Sequence, residues 1–90
     1  MVHTVTLKQV KSTKKNKKIA AAVYLYQADN DGGWGELRFD FATGTAEIVR
    51  LAEWDMVKSN IFARTAIRYI QSLPEPKLPS EAVVMFDQAL

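Results

Sequence analysis

Residues 34–51, WGELRFDFATGTAEIVRL, decide the fold class. Leu37, Phe39 and Phe41 alternate with Glu36, Arg38 and Asp40, the period of a strand with one dry face and one wet face. Thr43-Gly44 makes a turn and Thr45 to Leu51 returns, so the spacing predicts an antiparallel hairpin with strands over 34–42 and 45–51. Such a sheet needs cover on its apolar side only, and the flanking sequence must supply both the cover and any further strands.

Upstream, Val5 and Leu7 oppose Thr4, Thr6 and Lys8, which predicts a strand over 2–10. Val10 falls on the wrong side of that alternation and marks a bulge, a strongly twisted end or burial on both faces. Lys11 to Lys18, with Ser12, Thr13 and Asn16 among its lysines, reads as a solvated loop tipping a hairpin. Residues 19–27 fit two periods. Ile19, Val23 and Gln27, with Ala22 and Tyr26, align on a helix, and the alanine run favours one. Ile19, Ala21, Val23 and Leu25 form a wholly apolar alternate face, and Val-Tyr-Leu-Tyr is good strand material, so the strand is preferred. Asn30-Asp31-Gly32-Gly33 then tolerates the positive φ of a tight connection.

Downstream the period lengthens. Phe62, Ala66, Tyr69, Ile70 and Leu73, joined by Ala63 and Ile67, share one stripe of a helix over 55–72, opposite Asn60, Arg64, Arg68 and Gln71. Asp55 is the expected N-cap and Pro74 the stop. Val57 and Ile61 lie off the stripe as an apolar shoulder that needs a partner, either a C-terminal helix or a second chain. Pro74, Pro76 and Pro79 stiffen a connector. Ser80 caps a second, short helix over 81–89, with Ala82, Phe86 and Ala89 on its buried side. The expected fold is a single α+β domain: a four-stranded antiparallel meander, one face covered by a long helix, followed by a short C-terminal helix.

Ninety residues suffice for one core, and 48% hydrophobic with 24% charged residues is an ordinary globular composition. Without cysteine there is neither disulfide nor thiolate chemistry. Residues 1–10 do not read as a signal peptide and no run is long enough to span a bilayer, so a cytoplasmic location is expected. The net charge of +2 hides a segregation: residues 1–28 hold six lysines and no acid, whereas 29–90 hold ten acids and six bases, giving +6 followed by −4. Such a split favours an anionic partner or head-to-tail association.

Few residues carry a chemical signature. Lys14, Lys15, Lys17 and Lys18 gather ammonium groups suited to phosphates, Arg64 and Arg68 lie one helical turn apart, and Tyr24 and Tyr26 are candidate stacking surfaces. Lysines at loop tips are also common solubilising devices. Asp29-Asn30-Asp31-Gly32 fails as a calcium loop, because Gln27 and Arg38 would occupy its first and closing positions. His3 stands alone, so no metal or cofactor site is expected. Paired carboxylates such as Asp29 with Asp31, or Glu53 with Asp55, could do acid–base work in a cleft, but their places at turns and a helix start already explain them. Pro76-Lys77-Leu78-Pro79 has PxxP spacing but reads better as a connector. Trp34 and Trp54 are candidate contact residues.

The leading expectation is a non-enzymatic protein-interaction module, regulatory or inhibitory, acting on a protein partner or on itself as a homodimer through Val57, Ile61 and Trp34. A nucleic-acid-binding module using the lysine hairpin is the alternative. A small enzyme with a carboxylate site comes third.

Overall fold

The structure, a computed structural model, describes residues 2–57, 60–74 and 78–87. Five strands, β1 (Val2–Lys15), β2 (Lys18–Ala28), β3 (Gly35–Asp40), β4 (Thr45–Arg50) and β5 (Glu81–Asp87), form one antiparallel sheet in the order β4-β3-β2-β1-β5. A short 3-10 helix, Trp54–Val57, and one α-helix, α1 (Ile61–Gln71), carry the chain from the β4 edge to the opposite edge.

The β3–β4 hairpin forms as its alternation predicts. Leu37 and Phe39 are buried while Arg38 and Asp40 are exposed, and the Asp40 Oδ1 accepts the Ala42 and Thr43 N–H groups in the turn. The bulge at Val10 is also present: Gln9 pairs with Tyr24 and Lys11 with Val23, leaving Val10 as the extra residue, half exposed.

The helical expectations need correction. Residues 81–87 are a fifth strand, not a helix, and 88–90 lie outside the described residues. Glu81–Asp87 satisfies both periods, since Ala82, Val84 and Phe86 alternate with exposed neighbours. The backbone groups of β1 not paired with β2 await a partner, and an unbroken register from Val2–Asp87 to Lys8–Glu81 satisfies them. The fold is therefore not a four-stranded meander. The long helix over 55–72 is also shorter than its pattern, because Asn60 sits in the left-handed region at φ 55° and separates the 3-10 turn from α1.

The core lies between α1 and one face of the sheet. Val5, Leu7, Tyr24, Tyr26, Leu37 and Phe39 meet Phe62, Ala63, Ala66 and Ile70, all essentially inaccessible to solvent. On β2 the face turned inward is Ala22, Tyr24, Tyr26 and Ala28, not the Ile19, Ala21, Val23 and Leu25 face that hydrophobicity alone selects. Two hydroxyl bonds make this possible. Tyr24 donates to the Pro79 carbonyl at 2.5 Å, and Tyr26 donates to Asp55 Oδ2 at 2.7 Å while accepting the Ala52 N–H at 2.9 Å. Gly35 is required beside them, since a Cβ there would lie 2.4 Å from the Tyr26 ring and 2.5 Å from the Ala52 nitrogen.

Candidate functional site

The basic segment is a continuation of the sheet and not a loop. β1 runs to Lys15 and β2 starts at Lys18, so only Asn16 and Lys17 form the connection, with φ of 54° and 67°. Positive φ at both central residues is the two-residue hairpin geometry whose twist matches the strands, and asparagine is well suited to its first position. β5 accompanies β1 only as far as Lys8, with one further bond from the Gln9 N–H to the Ser80 carbonyl. β3 leaves β2 where the Phe41 N–H donates to the Ala20 carbonyl. Residues 14–19 therefore continue the β1–β2 pair beyond β5 at one end of a molecule 43 Å long and about 20 Å in its other dimensions, with Phe41 and Ala42 of the β3–β4 turn beside Lys15, Asn16, Lys18 and Ile19.

Every residue from Val10 to Lys18 is exposed. Among the described residues, no hydrogen bond or ion pair holds the side chains of Lys11, Lys14, Lys15, Lys17 or Lys18. Lys15 stands directly opposite Lys18, a like-charge cross-strand pair that is unfavourable until an anion lies against it. At the root of the ribbon, on the sheet face away from α1, an open groove of about 560 Å³ is lined by Val10, Lys11, Thr13, Val23, Glu36 and Arg38. Lys11, Val23, Arg38 and Glu47 share one cross-strand row, so the pairing places an arginine from β3 two strands from Lys11 and directly opposite Glu47. Sequence reasoning missed Arg38; the only signal for it was its place on the wet face of the firmest strand.

Arg64 and Arg68 are exposed on α1, in the layer on the other side of the sheet from this groove, and do not join it. Tyr24 and Tyr26 are fully buried, so neither is a stacking surface, and burial pushes both phenols above their ordinary pKa. Ile61 is half-buried against the core of its own chain, and the side chain of Val57 lies outside the described residues. Trp34 is half-buried beside Thr6, Lys8 and Val83, whereas Trp54 is 46% exposed with its indole over Gly32. Pro76 and Lys77 lie outside the described residues.

The carboxylate pairs hold backbone. Asp29 accepts the Thr4 N–H and lies 3.0 Å from His3 Nδ1, and Asp31 accepts the Gly32 N–H. Glu53 accepts the Gly33 N–H, and Asp55 is buried under the start of α1. The His3 ring packs between Phe62 and Phe86 at centroid distances of 5.4 and 5.6 Å, which ties the first strand to α1 and β5. Among the described residues no helix is long and apolar enough to cross a membrane.

No family model, curated protein or solved structure matches this chain.

Proposed function

We propose that this protein is a non-enzymatic nucleic-acid-binding module whose working part is the lysine ribbon with its arginine root. The observation that supports this reading is the gathering of Lys14, Lys15, Lys17 and Lys18, all exposed, at the tip of the β1–β2 hairpin with no acidic residue anywhere in β1 or β2. The hairpin concentrates these lysines at a single end and sets Lys15 and Lys18 face to face, a like-charge pair that an anion would relieve. Cations so placed displace the counterions condensed on a phosphate backbone, which makes binding strong at low salt and steeply salt-dependent.

The test replaces Lys14, Lys15, Lys17 and Lys18 with glutamine and follows a labelled DNA duplex by fluorescence anisotropy across salt concentrations. Each lost phosphate contact removes about 0.9 from the slope of log K against log salt, so the variant is expected to lose roughly 3 to 4 units of slope with little change in folding stability. Equal affinity for the two proteins, or no binding by the parent at low salt, rejects the reading.

A second reading, a regulatory or inhibitory protein-interaction module, is supported by β5. Val83 and Met85 are 62% and 69% exposed on an edge strand without a bulge, proline or lysine. Light scattering of the parent and a Val83→Thr/Met85→Thr variant addresses self-association; a parent that is monomeric at high concentration removes the homodimer from this reading.

A further inference from the structure

We propose that the hollow between the lysine hairpin and Phe41 takes one unpaired base of a single-stranded nucleic acid, with Lys15 and Lys18 on the phosphates beside it. This rests on the reading of the hairpin as a nucleic-acid site and adds the strandedness of the ligand and the seat of a base.

The hollow forms where the two hairpins part. β3 ends just before the Phe41 N–H donates to the Ala20 carbonyl at 2.8 Å, and the β3–β4 turn then lies beside the end of β2. Ile19, Phe41 and Ala42 give the space between them an apolar lining, and Lys15, Asn16 and Lys18 give it a polar one. Its volume of about 390 Å³ falls at the small end of the roughly 300–1,000 Å³ typical of small-molecule sites, which suits a single flat group.

Phe41 gives the hollow its preference. Its ring lies parallel to that of the buried Phe39, 6° apart in plane with centroids at 6.0 Å, so the ring is held in place. Phe41 itself is only half-buried. An aromatic ring fixed beside cations is how proteins hold single strands without regard to sequence, the base against the ring and the backbone along the charge. The Asn16 amide carries both a donor and an acceptor and so meets the edge of any base. In a duplex each base is covered on both faces by its neighbours, and the hollow would meet phosphate alone.

The charges agree with this occupant. Lys14 and Lys17 neighbour the two lining lysines in the chain, and all four are exposed. Among the described residues that line the hollow none is acidic, and the carboxylate next to Phe41 in the chain, Asp40, has its Oδ1 engaged by the Ala42 and Thr43 N–H groups. An anionic bilayer would also attract the lysines, but insertion takes apolar side chains that project. Among the described residues, none of the exposed large hydrophobic side chains belongs to residues 11–20 or to the β3–β4 turn.

The experiment titrates the parent protein against three labelled probes about 15 nucleotides long: oligothymidylate, the same chain with every base removed, and duplex DNA. Vesicles containing phosphatidylserine form a fourth arm. Oligothymidylate is expected to bind at least about ten-fold more tightly than the abasic chain. Phe41→Leu, which keeps an apolar side chain on Phe39, is expected to abolish that preference while leaving the abasic and duplex affinities and their salt slopes unchanged. In Phe41→Trp, the emission added over the parent is expected to be quenched by oligothymidylate and not by the abasic chain, a readout that does not need the leucine variant to fold. Equal binding of the two single chains by the parent, a preference that survives Phe41→Leu, unquenched emission from Phe41→Trp, or vesicle binding that Phe41→Leu abolishes overturns this inference. No binding to any of the three nucleic-acid probes at low salt rejects the underlying reading of the lysines instead.

Discussion

Asp55 shows at residue scale how one side chain can be named correctly and placed incorrectly. Sequence pattern marks it as the N-cap of a helix starting beside it. The helix starts at Ile61, and its own N-cap, Asn60, makes no side-chain cap bond. The Asp55 carboxylate nevertheless reaches the first turn, accepting the Phe62 N–H at Oδ1 and the Ala63 N–H at Oδ2, both at 2.9 Å, together with the Tyr26 hydroxyl. It satisfies two of the orphan donors at the helix start from a remote position, and its negative charge lies at the positive end of the helix dipole. Asp55→Ala leaves those N–H groups and the Tyr26 hydroxyl unsatisfied in a buried site, and is expected to lower the unfolding free energy by about 3 kcal/mol in urea denaturation. A loss below about 1 kcal/mol contradicts this account, because one exposed cap is worth that much.

At the scale of elements, the strands flanking clear turns were legible and the C-terminal element was not. Over Leu37–Arg50 the alternation and the turn residues agree, so local preference and tertiary environment select the same conformation. Over Glu81–Asp87 the pattern fits a helix and a strand alike, and the open edge of β1, nearly eighty residues away in sequence, selects the strand. The consequence is that β5 completes the fold although it comes last. It brings Phe86 onto Phe62 at 5.3 Å and onto His3, and Pro79 just before it receives the Tyr24 hydroxyl. A chain ending at Pro74 is expected to lose cooperative unfolding altogether, since it exposes the β1 edge and removes the acceptor of the Tyr24 hydroxyl proton, leaving that hydroxyl only the bond it accepts from the Gln9 amide. A sharp two-state thermal transition in that truncated chain contradicts this role.

For the whole molecule, charge segregation was visible in the sequence, but its geometry was not. The antiparallel pairing of β1 and β2 sends the lysines to one end of the long axis. Asp29, Asp31 and Glu53 come together at the other end, beside the start of β1. Lysines thus gather at one tip and three carboxylates at the base, while Asp40 pairs with Ala21 at the ribbon's root and Glu36 and Glu47 flank Arg38. The candidate site was half legible for the same reason. Its lysines are contiguous in sequence, whereas Arg38 joins them through strand pairing and Arg64 and Arg68 are carried to the other layer.

By itself the sequence determined the β3–β4 hairpin, an irregularity at Val10, the buried stripe of α1 and its end before Pro74, and the concentration of lysines ahead of every acid. Each of these is a matter of near neighbours along the chain, where period, turn chemistry and φ preference act directly. The tertiary structure alone decided that Tyr24 and Tyr26 face inward, that the last segment is a strand and that the lysines stand on a ribbon rooted beside Arg38. Those outcomes depend on hydrogen-bond partners supplied from distant parts of the chain: Asp55, Ala52 and Pro79 for the tyrosines, and the unpaired edge of β1 for β5. A buried polar group is stable only where its partner is, and no local pattern records where that partner will be.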